Sequence, residues 1–248
     1  MSRESPDVPT LVLVHGWCGE PLGWRFQMAA LAKWRPVAVA LVPEAGACEP
    51  RDAAPSIASC ARHVADHVRR HIAGPVVLAG HSLGGPVALE AALRLEGRCS
   101  ALIGVDSFTD RRFYGGHGEA EIARRLAAFE GDFEGEIRRM LARIVAPGVS
   151  PELASEIADS MLRADRRQAL ALLRSLLAYD IRPRWPRLAV PAYAINSAWL
   201  ASPQDDLVLP NLELHAIETA GHFPMMEAPE RFNAMLAGLL TRIALRSA

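Results

Sequence analysis

Residues 75–85 read PVVLAGHSLGG, an apolar run that passes directly into a serine flanked by glycines. The first five of these residues are typical of a buried strand, and residues 84–95 have the spacing of a helix. A G-x-S-x-G turn between a strand and a helix exposes a serine hydroxyl as a nucleophile. The sequence therefore predicts that Ser82 is a nucleophile in a strained turn, which Gly80 and Gly84 permit because they lack Cβ atoms.

Two further motifs accompany this turn. An apolar run at residues 10–14 ends in His15-Gly16-Trp17, and an apolar run at residues 212–217 is followed by Gly221-His222-Phe223-Pro224. In their order and spacing, the three motifs resemble those of the α/β-hydrolase superfamily, and the resemblance extends from residue 10 to about residue 240.

The resemblance implies a role for each motif. Ser82 would be the nucleophile and His222 the catalytic base, and the backbone amides of Trp17 and Leu83 would form an oxyanion hole. The resemblance implies no metal and no organic cofactor, and Ser82 excludes the branches of the superfamily whose nucleophile is an aspartate. The expected reaction is hydrolysis of a carboxylic ester, thioester or lactone by a lidded serine esterase, so the expected partner is a small-molecule substrate.

The carboxylate that orients His222 has to be found elsewhere in the chain. A catalytic triad needs an acid that fixes the tautomer of its histidine and stabilises the charged imidazole. Asp106 directly follows the apolar run at residues 101–105. Because parallel strands end at one edge of a sheet, Asp106 would lie at the same edge as Ser82. We therefore predict Asp106 as the acid.

Other residues compete for this role. Asp205 and Asp206 follow the fifth strand, but they belong to the segment that must return to the opposite edge before residue 212. We expect both to lie away from the histidine loop. A Ser-His dyad supported by Asn196 and Ser197 is the remaining alternative.

Strand and helix patterns alternate along the chain. Near-continuous apolar runs predict parallel strands that are covered on both faces, and helical spacing predicts the helices that cover them. The strands are predicted at residues 10–14, 36–42, 76–79, 101–105, 191–196 and 212–217, and the helices at residues 22–33, 56–72, 84–95 and 229–242. The prediction is an α/β fold with a mostly parallel, roughly six-stranded sheet.

The pattern changes between the fourth and fifth strands. Residues 118–179 have helical spacing and no strand signal, which predicts three or four short amphipathic helices. We expect one domain over residues 1–248, with a helical lid inserted at about residues 108–187, as the resemblance implies. Three aromatic residues at the start of this insert are candidates for lining a substrate pocket: Phe108, Phe113 and Tyr114.

Composition limits the classes of partner and the location. The 248 residues include 27 basic and 28 acidic side chains, and the net charge of −1 gives no overall field that attracts nucleic acid or an anionic membrane. The four cysteines show no zinc or redox spacing, and no apolar run is long enough to cross a bilayer. We expect a reduced, cytoplasmic protein that binds neither nucleic acid nor membrane.

One competing motif and two alternative functions have to be weighed. His63, His67 and His71 share one helix face in a pattern similar to a zinc motif, although the surrounding arginines favour a solvated face. The segment Gly16-Trp17-Cys18 resembles the loop of cofactor-free ring-cleaving dioxygenases of this fold, which hold a histidine where this chain has Gly19. That dioxygenase activity is the first alternative function, and a non-catalytic ligand receptor on the same fold is the second.

Overall fold

The computed structural model describes residues 8–42, 54–201, 204 and 206–247 of the chain. Its strands are β1 (Thr10–Val14), β2 (Val37–Val39), β3 (Val76–His81), β4 (Cys99–Val105), β5 (Ala192–Ser197) and β6 (Leu212–Ile217). They form one sheet in the order β2-β1-β3-β4-β5-β6, and all neighbouring strands are parallel. The predicted six-stranded α/β fold is confirmed.

Strands β1 and β3 are completely buried, whereas β2 is shorter than predicted. Every residue of β1 and β3 is buried, because helices cover both faces of the sheet. The predicted strand at residues 36–42 pairs with β1 only from Val37 to Val39. Beyond it, the amide of Leu41 donates to the side chain of His15 at 3.1 Å instead of to a strand, so the ladder ends early.

Outside the segment between β4 and β5, the helices are α1 (Arg25–Ala30), α2 (Ile57–His71), α3 (Gly84–Arg94), α9 (Pro224–Glu227) and α10 (Pro229–Ser247). The single helix predicted at residues 22–33 is wrong, because 3₁₀ turns at Pro21–Trp24 and Ala32–Trp34 enclose a short α1. Helix α2 begins as predicted, at a reciprocal cap in which Ser56 and Ser59 each accept the other's backbone amide.

Between β4 and β5 lie only helices and turns, apart from isolated bridges at the base. The helices are α4 (Arg111–Tyr114), α5 (Glu119–Gly131), α6 (Phe133–Ile144), α7 (Pro151–Leu162) and α8 (Arg166–Ala178). A β-bridge between Gly115 and Asp180 and a 3.0 Å bond from the Ile181 amide to the Tyr114 carbonyl close the base of this helical insert. Its function as a lid stays a prediction.

The structure also bears on the histidine motif of α2, on membrane spans and on the cysteines. Within the residues described, no group of three or more histidine, cysteine or acidic side chains is arranged to hold a metal ion, and His63, His67 and His71 therefore gain no support as ligands. No helix in the same ranges is long and apolar enough to cross a membrane. Three of the cysteines are buried thiols, and Cys48 lies outside the described residues.

Candidate active site

Ser82 lies in the sharp turn between β3 and α3. Its φ angle is 52°, in the left-handed region that L-residues rarely adopt. A Cβ atom at Gly80 would lie 2.1 Å from the Gly84 carbonyl oxygen, and one at Gly84 would lie 2.5 Å from that of Val14. Only glycine fits at both positions. The two glycines therefore allow the close backbone approach that the turn requires.

Asp106 and His222 form a close pair at the same edge of the sheet. Asp106 directly follows β4, and its Oδ2 lies 2.5 Å from Nδ1 of His222. The other carboxylate oxygen accepts the amide of Ser197 at 2.8 Å, which fixes the carboxylate plane. Because Nδ1 is held by the carboxylate, Nε2 is the ring nitrogen left to exchange a proton.

The loop that carries His222 is held by Glu227. This carboxylate accepts three backbone amides, from Ala146 (2.9 Å), Gly221 (2.8 Å) and Phe223 (2.8 Å). In addition, the amide of His222 donates to the carbonyl of Ile144 at 2.7 Å. The end of α6 and the histidine loop therefore share one set of hydrogen bonds.

His81 joins the serine turn to the histidine loop. Its Nε2 lies 2.7 Å from the carbonyl oxygen of His222, and the two rings are 4.8 Å apart. Burial lowers the pKa of His81 well below its usual value, and the neighbouring His222 lowers it further. A neutral His81 that donates from Nε2 satisfies this geometry.

His15 fixes the loop that follows β1. Its Nδ1 donates to the carbonyl of Gly16 at 2.9 Å, and its Nε2 accepts the amide of Leu41 at 3.1 Å. Burial lowers the pKa of His15 to about 4, which keeps the ring neutral and makes this pairing possible. The Trp17 and Leu83 amides are the predicted oxyanion donors, and neither donates a hydrogen bond to any residue within the described ranges.

The side chain of Trp17 connects this loop to the helical insert. The indole Nε1 donates to the carbonyl of Ala169 in α8 at 2.7 Å, and the ring meets Phe129 edge to face at 5.2 Å. The sequence indicated only a backbone role for Trp17, whereas the indole connects the loop after β1 to the helical insert.

A cavity of about 980 Å³ opens onto these groups. Ser82, Asp106 and His222 line it together with Trp17. Part of its apolar wall comes from the insert, through Phe129, Met140, Met161, Leu173, Leu176 and Leu177. This volume is at the upper end of the range of small-molecule sites.

The aromatic pocket candidates differ in position. Phe113 and Tyr114 line the cavity. Phe108 is absent from the described lining; it is fully buried and packs edge to face on Trp185 at 5.3 Å. A positive φ of 76° turns Phe108 into the core, and that turn is not readable from residue type.

The other candidate acids and amides are placed away from Nδ1 of His222. Asp206 forms an isolated backbone bridge with Asp110 and lines the cavity, and within the described residues no hydrogen bond joins it to His222. Asp205 lies outside the described residues. The side chain of Asn196 is bonded to the backbone of Ser107 and to Thr109.

Comparison with known proteins agrees with this architecture. The sequence model of the alpha/beta hydrolase family matches residues 11–235. The sequence matches none of the curated proteins with which it was compared.

Solved structures with the same fold share little sequence with this chain. A hydrolase from Oleispira antarctica has a TM-score of 0.78 at 20% identity, covering 94% of this chain and 91% of its own. A thermophilic esterase from Thermogutta terrifontis has a TM-score of 0.78 at 20% identity, with coverages of 95% and 90%. The enol-lactonase from Burkholderia xenovorans LB400 has a TM-score of 0.78 at 19% identity, with coverages of 94% and 92%.

Proposed function

The chain belongs to the α/β-hydrolase family, and on that premise we propose that it is a serine hydrolase that cleaves a carboxylic ester, thioester or lactone. Ser82 is the nucleophile, His222 the base and Asp106 the acid. The observation that carries the proposal is the 2.5 Å contact between Asp106 and His222, in a cavity that a serine in a strained turn also lines.

The first half of the reaction forms an acyl-enzyme. Nε2 of His222 takes the proton of Ser82 Oγ while Oγ attacks the ester carbonyl carbon, and the carbonyl electron pair moves to oxygen. The amides of Trp17 and Leu83 donate to this oxyanion. When the carbonyl re-forms, the bond to the leaving oxygen or sulfur breaks, and that atom takes the proton from His222. Asp106 stabilises the charged imidazole throughout.

The second half returns the enzyme to its first state. His222 takes a proton from water, and the hydroxide oxygen attacks the acyl carbon. The bond from the acyl carbon to Ser82 Oγ breaks, and Oγ regains its proton from His222. The carboxylic acid then leaves the cavity.

The walls of the cavity favour a substrate with an apolar part. Beside several charged side chains, the insert contributes aliphatic and aromatic ones, and burying a substrate chain against these is worth about 0.8 kcal/mol per CH₂ group. In this role, helices α5 to α8 are the lid over the acyl or alcohol group. The proposed partner is a small-molecule ester, and the proposed location of the enzyme is the cytoplasm.

Hydrolysis of p-nitrophenyl esters of increasing chain length, combined with fluorophosphonate labelling, tests the function. We expect turnover and labelling at Ser82 in the wild type, and neither in Ser82→Ala. Labelling without turnover of any ester would favour a ligand receptor. Oxygen uptake with an N-heteroaromatic substrate and no ester turnover would favour a dioxygenase.

A further inference from the structure

Arg143 lies near the end of α6, on the face of that helix that borders the cavity. The α6 residues that line the cavity are Glu136, Met140, Arg143 and Ile144, and their spacing places them on one helix face. The carbonyl of Ile144 accepts the amide of His222 at 2.7 Å. Arg143 is also exposed to solvent. It therefore lies where the cavity opens to solvent, next to the attachment of the histidine loop.

Helix α6 carries three arginines, and the two that do not line the cavity have acidic partners. Arg138 forms an ion pair with Glu134 at 2.9 Å. Arg139 pairs with Asp132 at 3.0 Å and with Glu136 at 2.8 Å, so the acid that shares the cavity face is already engaged. Within the described ranges, the third arginine, at position 143, has no ion pair and no side-chain hydrogen bond.

The other arginines that line the cavity are paired. Arg112 pairs with Asp110 at 2.7 Å. Arg124 and Arg125 both pair with Glu121, each at 2.7 Å. Their guanidinium groups are therefore already held by carboxylates of the protein, and a substrate anion would have to displace these bonds.

One acid of the cavity wall, Asp206, also has no ion pair among the residues described. Its segment is fixed elsewhere, by the bridge to Asp110 and by the amide of Leu207, which donates to the Thr109 carbonyl at 2.6 Å. No hydrogen bond or ion pair within the described ranges joins Asp206 to Arg143. The cavity therefore offers an anion one unpaired positive group, on α6 beside the histidine loop.

We infer that Arg143 is a specificity-determining residue, whose guanidinium binds a carboxylate group of the substrate at the mouth of the cavity. This role rests on the proposed function, because it takes the cavity as the ester site. A guanidinium presents parallel N–H donors that match the two oxygens of a carboxylate. The reacting carbonyl lies at Ser82, and the chain between the two groups lies against the apolar part of the wall. The substrate class is an ester with an anionic end.

Matched pairs of esters test this specificity. Mono-p-nitrophenyl suberate ends its acyl chain in a carboxylate, whereas p-nitrophenyl octanoate, with an acyl chain of equal length, ends in a methyl group. The acetate ester of 8-hydroxyoctanoate and octyl acetate make the same comparison on the alcohol side. The measurement is the ratio of kcat/KM for the charged ester to kcat/KM for the neutral ester. This ratio does not depend on the fraction of the enzyme that is folded.

Arg143→Gln removes the charge and keeps a polar side chain. We expect the ratio for one of the two pairs to fall by about three- to tenfold, because an ion pair open to solvent is weaker than a buried one. The pair that responds shows whether the acyl or the alcohol part carries the carboxylate. Arg143→Lys keeps the charge without the fork of donors, so it should retain part of the preference.

Arg138→Gln is the matched control, because Arg138 is exposed on the same helix and is not among the described residues that line the cavity. It removes the same charge from α6, and we expect the wild-type ratio for both pairs. An equal fall in Arg138→Gln and Arg143→Gln would overturn the assignment, because it would show an effect of the overall charge of the insert.

Wild-type ratios for both pairs in Arg143→Gln would also overturn the role of Arg143. The wild type separates this result from a failure of the proposed function. If the wild type hydrolyses none of these esters, the proposed function fails, and the role of Arg143 fails with it. If the wild type hydrolyses them and Arg143→Gln keeps both ratios, only the role of Arg143 fails.

Discussion

Glu227 accepts the amide of Ala146 at 2.9 Å, although 81 residues separate them in sequence. The same carboxylate accepts the amides of Gly221 and Phe223, on either side of His222. The end of α6 and the histidine loop are therefore anchored on a single side chain. Displacing the end of α6 would break hydrogen bonds that also hold the loop of His222.

Glu227→Gln tests this anchor. The glutamine keeps one carbonyl oxygen, but its NH₂ group faces a backbone donor, so at least one amide loses its acceptor. We expect a loss of about 1–3 kcal/mol in the free energy of unfolding, and a larger fall in kcat than rise in KM. Urea unfolding measures the free energy of unfolding, and ester kinetics measure kcat and KM.

Glu218→Gln is the matched control, because Glu218 is exposed on the turn that precedes the histidine loop. It should resemble the wild type in stability and kcat. If Glu227→Gln had the stability and kcat of the wild type, the hydrogen bonds from the three amides to the carboxylate would not be required for either.

Ser82 and His222 should act as one unit. His222→Ala is expected to lower kcat by roughly a thousandfold or more, about as much as Ser82→Ala, because each variant removes the same proton-transfer step. The double variant should lose little beyond either single variant. Losses that add fully in the double variant would contradict a shared step.

Asp106→Asn keeps the size of the side chain and its acceptor for the Ser197 amide, but removes the charge beside His222. We expect kcat to fall by as much as ~10⁴-fold, as when the acid of a protease triad becomes an amide. Asp206→Asn is the control, since Asp206 lines the cavity without a bond to Nδ1 of His222. If kcat of Asp106→Asn were as high as that of Asp206→Asn and of the wild type, Asp106 would not be the acid.

Acid should destabilise the fold through two buried histidines. Burial lowers the pKa of His15 from 6.5 to about 4 and that of His81 well below 6.5, so the unfolded chain binds protons that the folded chain does not. Stability is complete above pH ~6.5 and falls as the pH is lowered towards 4. Each histidine contributes at most about 1.4 kcal/mol per pH unit within that window.

Urea unfolding between about pH 6.5 and pH 5, above the carboxylate range, measures this slope. His15→Asn cannot titrate and should remove about half of the slope. A wild-type stability that stays constant over this interval would show that neither ring is kept neutral.

The sequence predicts the sheet and the positions of Ser82, Asp106 and His222 at one edge because these depend on local rules. Apolar runs produce buried strands, and the carboxyl ends of parallel strands meet at one edge. The residue after β4 therefore had to lie beside the residue after β3. The histidine loop after β6 meets them through His81, whose side chain bonds the His222 carbonyl.

What sequence reasoning missed depends on contacts between distant segments. Glu227 accepts backbone amides from the end of α6 and from the histidine loop, which meet only in the folded chain. Because every residue except proline has a backbone amide, residue types do not reveal these partners. Phe108 points into the core from a left-handed backbone conformation, which residue type alone does not indicate. Each of these positions is fixed by tertiary packing that overrides local propensity.

The acyl-enzyme itself is the most direct measurement of the central claim. Wild-type protein would be mixed with excess p-nitrophenyl ester, quenched in acid during turnover, and analysed by intact mass and peptide mapping, with Ser82→Ala treated in parallel. The expected result is one acyl group, located on Ser82 in the wild type and absent from the variant. Turnover with no acyl group on Ser82, or an acyl group that persists on another residue in Ser82→Ala, would contradict nucleophilic catalysis by Ser82.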